Sequence, residues 1–328
     1  MPERRVVAVI GEAVADAFPR TSASGEGSLP PGRTGAGSLE LEVRPGGGPA
    51  NTAVALSRFG TPTRFLGRFS GGLLGRMLRD HLLGSNVDLS GSVATDGAAT
   101  LAITSVDAQG RTGYDFYLTG TTDWQWEATE LHPGVLTGVC CVHTGSLALA
   151  LPPGGPLIED LLATARRDCL VSIDPNVRPG IVAPQAYRDA MRRWSTLADI
   201  IRLSDEDLAV LRPDGDFDAT CAEWHAAGVR LVVLTRGPHG ATASLDGVQL
   251  SVPAVPVSVV DTVGAGDAFT AGLLDHLWRR GRLAPGAFAA AADEIAAAMR
   301  FAAVVAARVC AVRGADPPWR DELAPVPD

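Results

Sequence analysis

Five short apolar runs constrain this chain more than any other feature: VVAVI from Val6, CCVHTG from Cys140, LVSID from Leu170, DIIRLS from Asp199 and RLVVLTRG from Arg230. Each is brief and apolar, most are rich in β-branched residues, and helical stretches separate most of them. Strands covered on both faces read this way, so the alternation predicts an α/β architecture: a doubly wound, mostly parallel sheet flanked by helices. Two regions interrupt it. The residues after Asp16 and those from Ala99 to Leu118 read as half-polar strands, which predicts a small β-sheet lid built from about residues 12–45 and 95–120. We read residues 1–328 as a single domain carrying that lid. Residues 21–38 are rich in Gly, Ser and Pro and predict a mobile loop. The closing stretch PPWRDELAPVPD reads as a loosely attached end.

Charge and residue usage narrow the function. A net charge of -9 over 328 residues argues against nucleic acid or an anionic membrane as the main partner. No apolar run approaches the length of a membrane span. A strand-like run begins by Val6, which leaves no room for a signal peptide and predicts a cytoplasmic protein. The five cysteines are scattered without CxxC spacing, and the six histidines form no HxH or HExxH cluster. Neither a disulfide frame nor a histidine metal site is expected, although carboxylate and water ligation of magnesium leaves no such trace. All 28 basic residues are arginine. A chain without lysine has no Walker-A lysine, no protein-kinase strand lysine and no Schiff-base lysine.

Chemistry concentrates in DTVGAGDAFTAGLL, from Asp261 to Leu274. Glycines at 264 and 266 permit a tight turn and close approach to a ligand. The helix that follows presents Phe269, Leu273 and Leu277 on one face and ends at Gly281. Its first N–H groups lack partners inside the helix and so form a ready anion site. An anion stabiliser beside Asp267, a carboxylate able to accept a proton, suits phosphoryl transfer. A capped helix with no ligand fits the same residues. A dinucleotide turn fits them less well, because Phe269 occupies the third glycine position.

VVDTVGAGDAFTAGLL closely resembles the C-terminal signature of the ribokinase-like (PfkB) sugar kinases. PGGGPANTAVALSRFG, from Pro45 to Gly60, resembles their N-terminal glycine signature. SIDPNVRPG resembles the DPNxR segment of the fructokinase-type branch. LSDEDLAVL, VVLTRGPHGA and RFAAVVAARVCAVRGADPP resemble the family's metal-loop, nucleotide-loop and last-helix segments. These matches run in the family's order over about residues 5–318.

The resemblance implies a ribokinase-like kinase acting with ATP and Mg2+, with potassium as a further activator in many members. It makes Asp267 the general base and Gly264, Ala265 and Gly266 the anion hole. Asp16, Gly46, Gly47 and Asn51 match sugar-binding positions, and Arg178 is a contact for sugar or phosphate. Ser204, Thr235, Gly237 and Gly240 fall at nucleotide positions. Asp207 stands where the family carries a longer Glu near magnesium, and Asp261 lies near the monovalent-cation site. Val263 replaces the usual third residue of DTT. The implied activity is transfer of the γ-phosphoryl group of ATP to a primary hydroxyl of a neutral sugar, with fructose first. 2-Keto-3-deoxygluconate kinase and ribokinase are the nearest alternatives; Leu118 stands where the former often shows an arginine. A catalytically silent sugar sensor is the alternative from another class. The lid aromatics Phe116, Tyr117, Trp124 and Trp126 are candidates either for stacking on a sugar or for packing. Partners are expected to be a small sugar and ATP, with a homodimer through the lid.

Overall fold

The computed structural model describes residues 5–19, 39–106, 112–283, 288 and 290–323; the loop predicted over 21–38 lies outside them. In chain order the strands are β1 (Val6–Ile10), β2 (Val14–Pro19), β3 (Leu41–Gly46), β4 (Thr63–Leu66), β5 (Arg68–Ser70), β6 (Val93–Thr95), β7 (Leu101–Val106), β8 (Thr112–Tyr117), β9 (Val139–Gly145), β10 (Leu170–Asp174), β11 (Ile200–Ser204), β12 (Leu231–Thr235), β13 (Ala241–Leu245) and β14 (Val248–Val252). The helices are α1 (Gly48–Arg58), α2 (Leu73–Gly84), α3 (Ser146–Ala150), α4 (Gly154–Ala165), α5 (Pro184–Leu197), α6 (Asp205–Leu211), α7 (Phe217–Ala227), α8 (Ala265–Arg279) and α9 (Ala292–Cys310).

An eight-stranded sheet in the order β14-β13-β12-β11-β10-β9-β1-β4 forms the centre. It is parallel from β12 to β4, and β13 and β14 close one edge as an antiparallel hairpin. All five apolar runs read from the sequence lie in this sheet. Alternate residues of β1 show why they are apolar throughout. Val7 and Val9 pack on the layer formed by α1, α2, α8 and α9, while Ala8 and Ile10 pack on the layer formed by α3, α4, α5, α6 and α7. A strand sandwiched this way has no wet face on which to carry polar residues.

The second sheet has four strands in the order β3-β2-β7-β8 and corresponds to the half-polar segments. A two-stranded pair, β5-β6, lies beside them. The aromatic residues of this region divide. Tyr114 and Phe116 stack at 5.8 Å on the lid, and Tyr117 is exposed. Trp124 and Trp126 are each only 2% exposed, so they pack and do not face a ligand.

One expectation is overturned. The segment after Pro317 is tied down as far as the described residues run, to Leu323. Arg320 donates to the fully buried Asp275 at 2.8 Å, and Arg58 stacks over the Trp319 ring at 5.3 Å. Polar residues in a short tail suggested a free end, but here they are the partners of a buried carboxylate.

Candidate active site

The site lies where the C-terminal ends of β1, β9, β10 and β11 meet the lid, in a cleft of about 530 Å3. Parallel sheets gather ligands at that end because the connecting loops converge there. Of the residues singled out in the sequence, Asp16, Gly47, Asn51, Arg178, Ser204, Asp207, Gly264, Gly266 and Asp267 line it together. Gly46, Thr235, Gly237, Gly240, Asp261 and Ala265 are not among the lining residues. Gly46 stands directly behind Asp16, whose carboxylate fills the space a Cβ would need.

Asp267 sits in the first turn of α8. Its Oδ2 accepts a hydrogen bond from Asn51 Nδ2 at 2.8 Å. Its Oδ1 lies on the side of Gly48 and the Asn176 amide, 3.1 Å from where a Cβ on Gly48 would stand. Asn51, matched to a sugar position, therefore also orients the carboxylate. Desolvation by the surrounding protein raises the Asp267 pKa to about 6, against the Asn51 hydrogen bond. The charge of Asp174 pushes it further up, and Arg202 and Arg178 pull it down.

The turn before the helix is built for an anion. Gly264 is the N-cap residue with φ +78°, a left-handed conformation, and a Cβ there would come 2.9 Å from the Ala315 Cα. Among the described residues the amides of Gly264, Gly266 and Asp267 have no protein acceptor. Ala265 differs from the expectation, since its N–H donates to the Thr262 carbonyl at 3.2 Å. The unpartnered amides at this turn are thus those of Gly264, Gly266 and Asp267.

Asp16 faces this turn from β2. Burial and the charge of Asp267 raise its pKa to about 7, partly offset by Arg178. Among the described residues the Arg178 guanidinium donates only to the carbonyls of Asn176 and Val177, at 3.3 and 3.1 Å, which leaves its charge over the cleft. Two residues near these have φ > 0 without being glycine: Asn176 at 40° and Ser146 at 53°. Such backbone at the ends of β9 and β10 marks a place where the surrounding structure holds strain.

Asp207 is more committed than its sequence position suggested. Its Oδ1 accepts from Val177 N at 2.7 Å, and its Oδ2 accepts from Ser204 N and Oγ at 2.9 and 2.8 Å. It caps α6 and ties it to the segment after β10. Asp261 is similarly engaged, with Oδ1 accepting from Val263 N at 3.1 Å and Oδ2 from Gly314 N at 2.8 Å. No group of three or more His, Cys, Asp or Glu among the described residues is placed to hold a metal unaided. Glu206, which the sequence reading passed over, lines the cleft beside Asp207.

Other cleft residues also escaped the sequence reading. Glu12 lines the wall and accepts from Ala148 N at 3.0 Å, its pKa raised to about 7 by burial. Arg202 of β11 lies beneath Gly266, ion-paired with Asp174 at 2.8 Å. An arginine in an otherwise apolar strand run was the available signal. Thr235 joins the site only through Arg202, whose Nη2 donates to its hydroxyl.

The chain resembles known proteins in sequence and in fold. The chain matches the model of the pfkB family carbohydrate kinases over residues 4–322. It is 35% identical to a fructokinase of Rhizobium leguminosarum bv. trifolii over 268 residues, 81% of this chain and 78% of that protein. It is 33% identical to a fructokinase of Klebsiella pneumoniae over 320 residues, 96% of this chain and 97% of that one. A fructokinase structure with bound ATP from Xylella fastidiosa has a TM-score of 0.82 at 23% identity, covering 95% of this chain and 94% of that one. A Vibrio cholerae O395 fructokinase bound to fructose, ADP and calcium gives 0.78 at 25% identity, covering 95% of each chain. At these identities the structural likeness shows the fold; the family rests on the sequence matches.

Proposed function

The chain belongs to the pfkB family of carbohydrate kinases, and from that premise we propose that it transfers the γ-phosphoryl group of ATP to a primary hydroxyl of fructose. One observation carries the reading: Asp267 holds a carboxylate oxygen toward the cleft while three unpartnered amides stand beside it. Asp267 takes the hydroxyl proton as the oxygen attacks phosphorus, and the bond to the ADP oxygen breaks. The amides of Gly264, Gly266 and Asp267 hold the charge on the phosphoryl oxygens during that transfer. Asp16 accepts hydrogen bonds from sugar hydroxyls and fixes the orientation of the attacking one. Gly47 lets the lid strand approach the sugar, Gly46 leaves room for the Asp16 carboxylate, and Phe116 and Tyr114 close over the sugar to exclude water.

We assign the nucleotide to the side of the cleft bounded by Ser204, Thr235, Gly237 and Gly240. Magnesium fits as an ion carried in by the ATP phosphates and held through water by Asp207 and Glu206, because Asp207 already accepts three hydrogen bonds. When bound, it supplies charge neutralisation to the polyphosphate. Potassium beside Asp261 and pairing of two lids into a dimer belong to the same proposal. A neutral sugar is favoured over a sugar acid because the cleft sets Asp16 against Asp267. The fructokinase relatives point the same way.

A panel of fructose, glucose, ribose and 2-keto-3-deoxygluconate with ATP and Mg2+, scored for ADP release, tests the substrate. Fructose is expected to give the highest kcat/KM. Asp267→Asn is expected to lower kcat by about 10²–10⁴-fold with sugar affinity within a few-fold. Sugar binding without ADP release from any member of the panel would mean a silent sensor.

A further inference from the structure

Arg202 has no part in the mechanism above, yet its placement is costly. It projects from β11 beneath α8 and is 6% exposed. Its Nη1 pairs with Asp174 at 2.8 Å, its Nη2 donates to Thr235, and its Nε is buried with no partner. Taking a guanidinium out of water costs several kcal/mol, and a single carboxylate with an orphaned N–H repays this poorly. An apolar side chain there would pack against its sheet neighbours at no such cost. A stitch between strands would use all its donors.

The helix above has been shaped around this group. A Cβ on Gly266 would lie 2.6 Å from Nη1, 2.8 Å from Nη2 and 3.0 Å from Cζ. A side chain on Gly266 would meet the guanidinium head, so a positive charge stands close behind this turn. On the protein side that charge faces the carboxylates of Asp174, Asp207 and Asp267. His143, further down the same sheet face, bonds Ser172 and is kept neutral by burial and by Arg202, with its pKa lowered to about 3. Asp174 balances one unit, and Thr270 Oγ1 stands 3.5 Å from its Oδ2.

We infer that Arg202 is a positioning residue for phosphoryl transfer: its buried guanidinium, close under Gly266, supplies the positive field that seats the migrating phosphoryl group against the amides. The groups that face Asp267 are Asp16 of β2, Asn51 of α1, Asp174 of β10, Arg178 after it and Arg202 of β11. Arg178 is exposed and its field is screened by water, so Arg202, although paired with Asp174, is the buried cation beside the turn. The inference rests on the kinase reading, and the test separates the two.

Because Arg202→Met alone strands Asp174, the informative variant is the double change Arg202→Met with Asp174→Asn, compared with Arg202→Lys and wild type. Turnover is measured over a range of fructose concentrations, and binding of AMP and of AMP-PNP by calorimetry. In the double variant kcat is expected to fall at least 100-fold with fructose affinity within threefold. AMP-PNP affinity should drop about tenfold while AMP is unaffected, and Arg202→Lys should recover at least tenfold in kcat. A folded double variant with wild-type kcat and unchanged AMP-PNP binding would overturn the inference. If the wild type turns over no sugar yet the AMP-PNP and AMP affinities still split, the kinase reading fails and the phosphate seat stands.

Discussion

Two carboxylates in one cleft do different work, and their surroundings separate them. Asp267 has its pKa raised to about 6 by burial, while Asp16 reaches about 7 through burial and the charge of Asp267. The base works only when anionic, so kcat is expected to rise with pH through about 6 and then level. Asp16 binds hydroxyls best when anionic, so the KM for sugar should fall as pH rises through about 7. Each limb belongs to the coupled pair as much as to one residue. Asn51 can be tested in the same assay. Its hydrogen bond favours the charged form of Asp267, so Asn51→Leu should move the kcat limb upward and lower kcat at pH 6 by about tenfold. A limb that stays in place after that substitution would show that Asn51 holds the sugar and not the base.

At the scale of elements, the turn into α8 matters more than the helix itself. Gly264→Ala must force a residue with a Cβ into φ +78° and against Ala315. A loss of about 1–2 kcal/mol from the left-handed backbone is expected, together with more than tenfold in kcat. Gly281, after the other end of the same helix, is the control: its φ is +67° but nothing stands within 4 Å of its Cβ direction. Gly281→Ala should show a similar backbone cost in urea denaturation with kcat unchanged. Equal kcat losses at both ends would mean that the turn acts through stability alone. Strands and helices of this layer were legible because apolar runs and glycine punctuation are local signals. The β13–β14 hairpin carried such a signal too, in Asp246-Gly247 at its tip, and went unread. Asp267 could be found because it stands inside a glycine turn that opens a helix. Arg202, Asn176 and Glu12 could not be ranked, since their roles depend on neighbours far away in sequence. The double engagement of Asp207 and Asp261 was hidden for the same reason.

For the whole molecule, the question is what keeps the N-terminus of α8 aimed at the cleft. The answer lies at its far end. Asp275 is fully buried and accepts from Thr61 Oγ1 at 2.7 Å, Arg279 Nε at 3.0 Å and Arg320 Nη1 at 2.8 Å. Arg58 of α1 bonds Asp316 and the Pro317 carbonyl, each at 2.6 Å, and Arg320 lies 4.8 Å over the Phe301 ring of α9. One carboxylate thus joins the start of the β4 segment, the C-terminal half of α8 and the described end of the chain. Along α8, Gly272 lets α9 cross closely, a Cβ there falling 2.9 Å from the Ala302 Cα. The helix is therefore fixed along its length and at its foot, and its first turn is free to face ligand. Removing Asp275 leaves two guanidinium groups without their carboxylate, one of them beside buried surface. Asp275→Ala is expected to lower unfolding free energy by about 3–5 kcal/mol, while sugar KM below the melting transition stays within a few-fold. Arg320→Ala should cost less, because its head is partly exposed and Arg279 remains. Should Asp275→Ala leave the urea midpoint unchanged, the tail would be a passenger, and the aim of α8 would have to come from the α8–α9 packing alone.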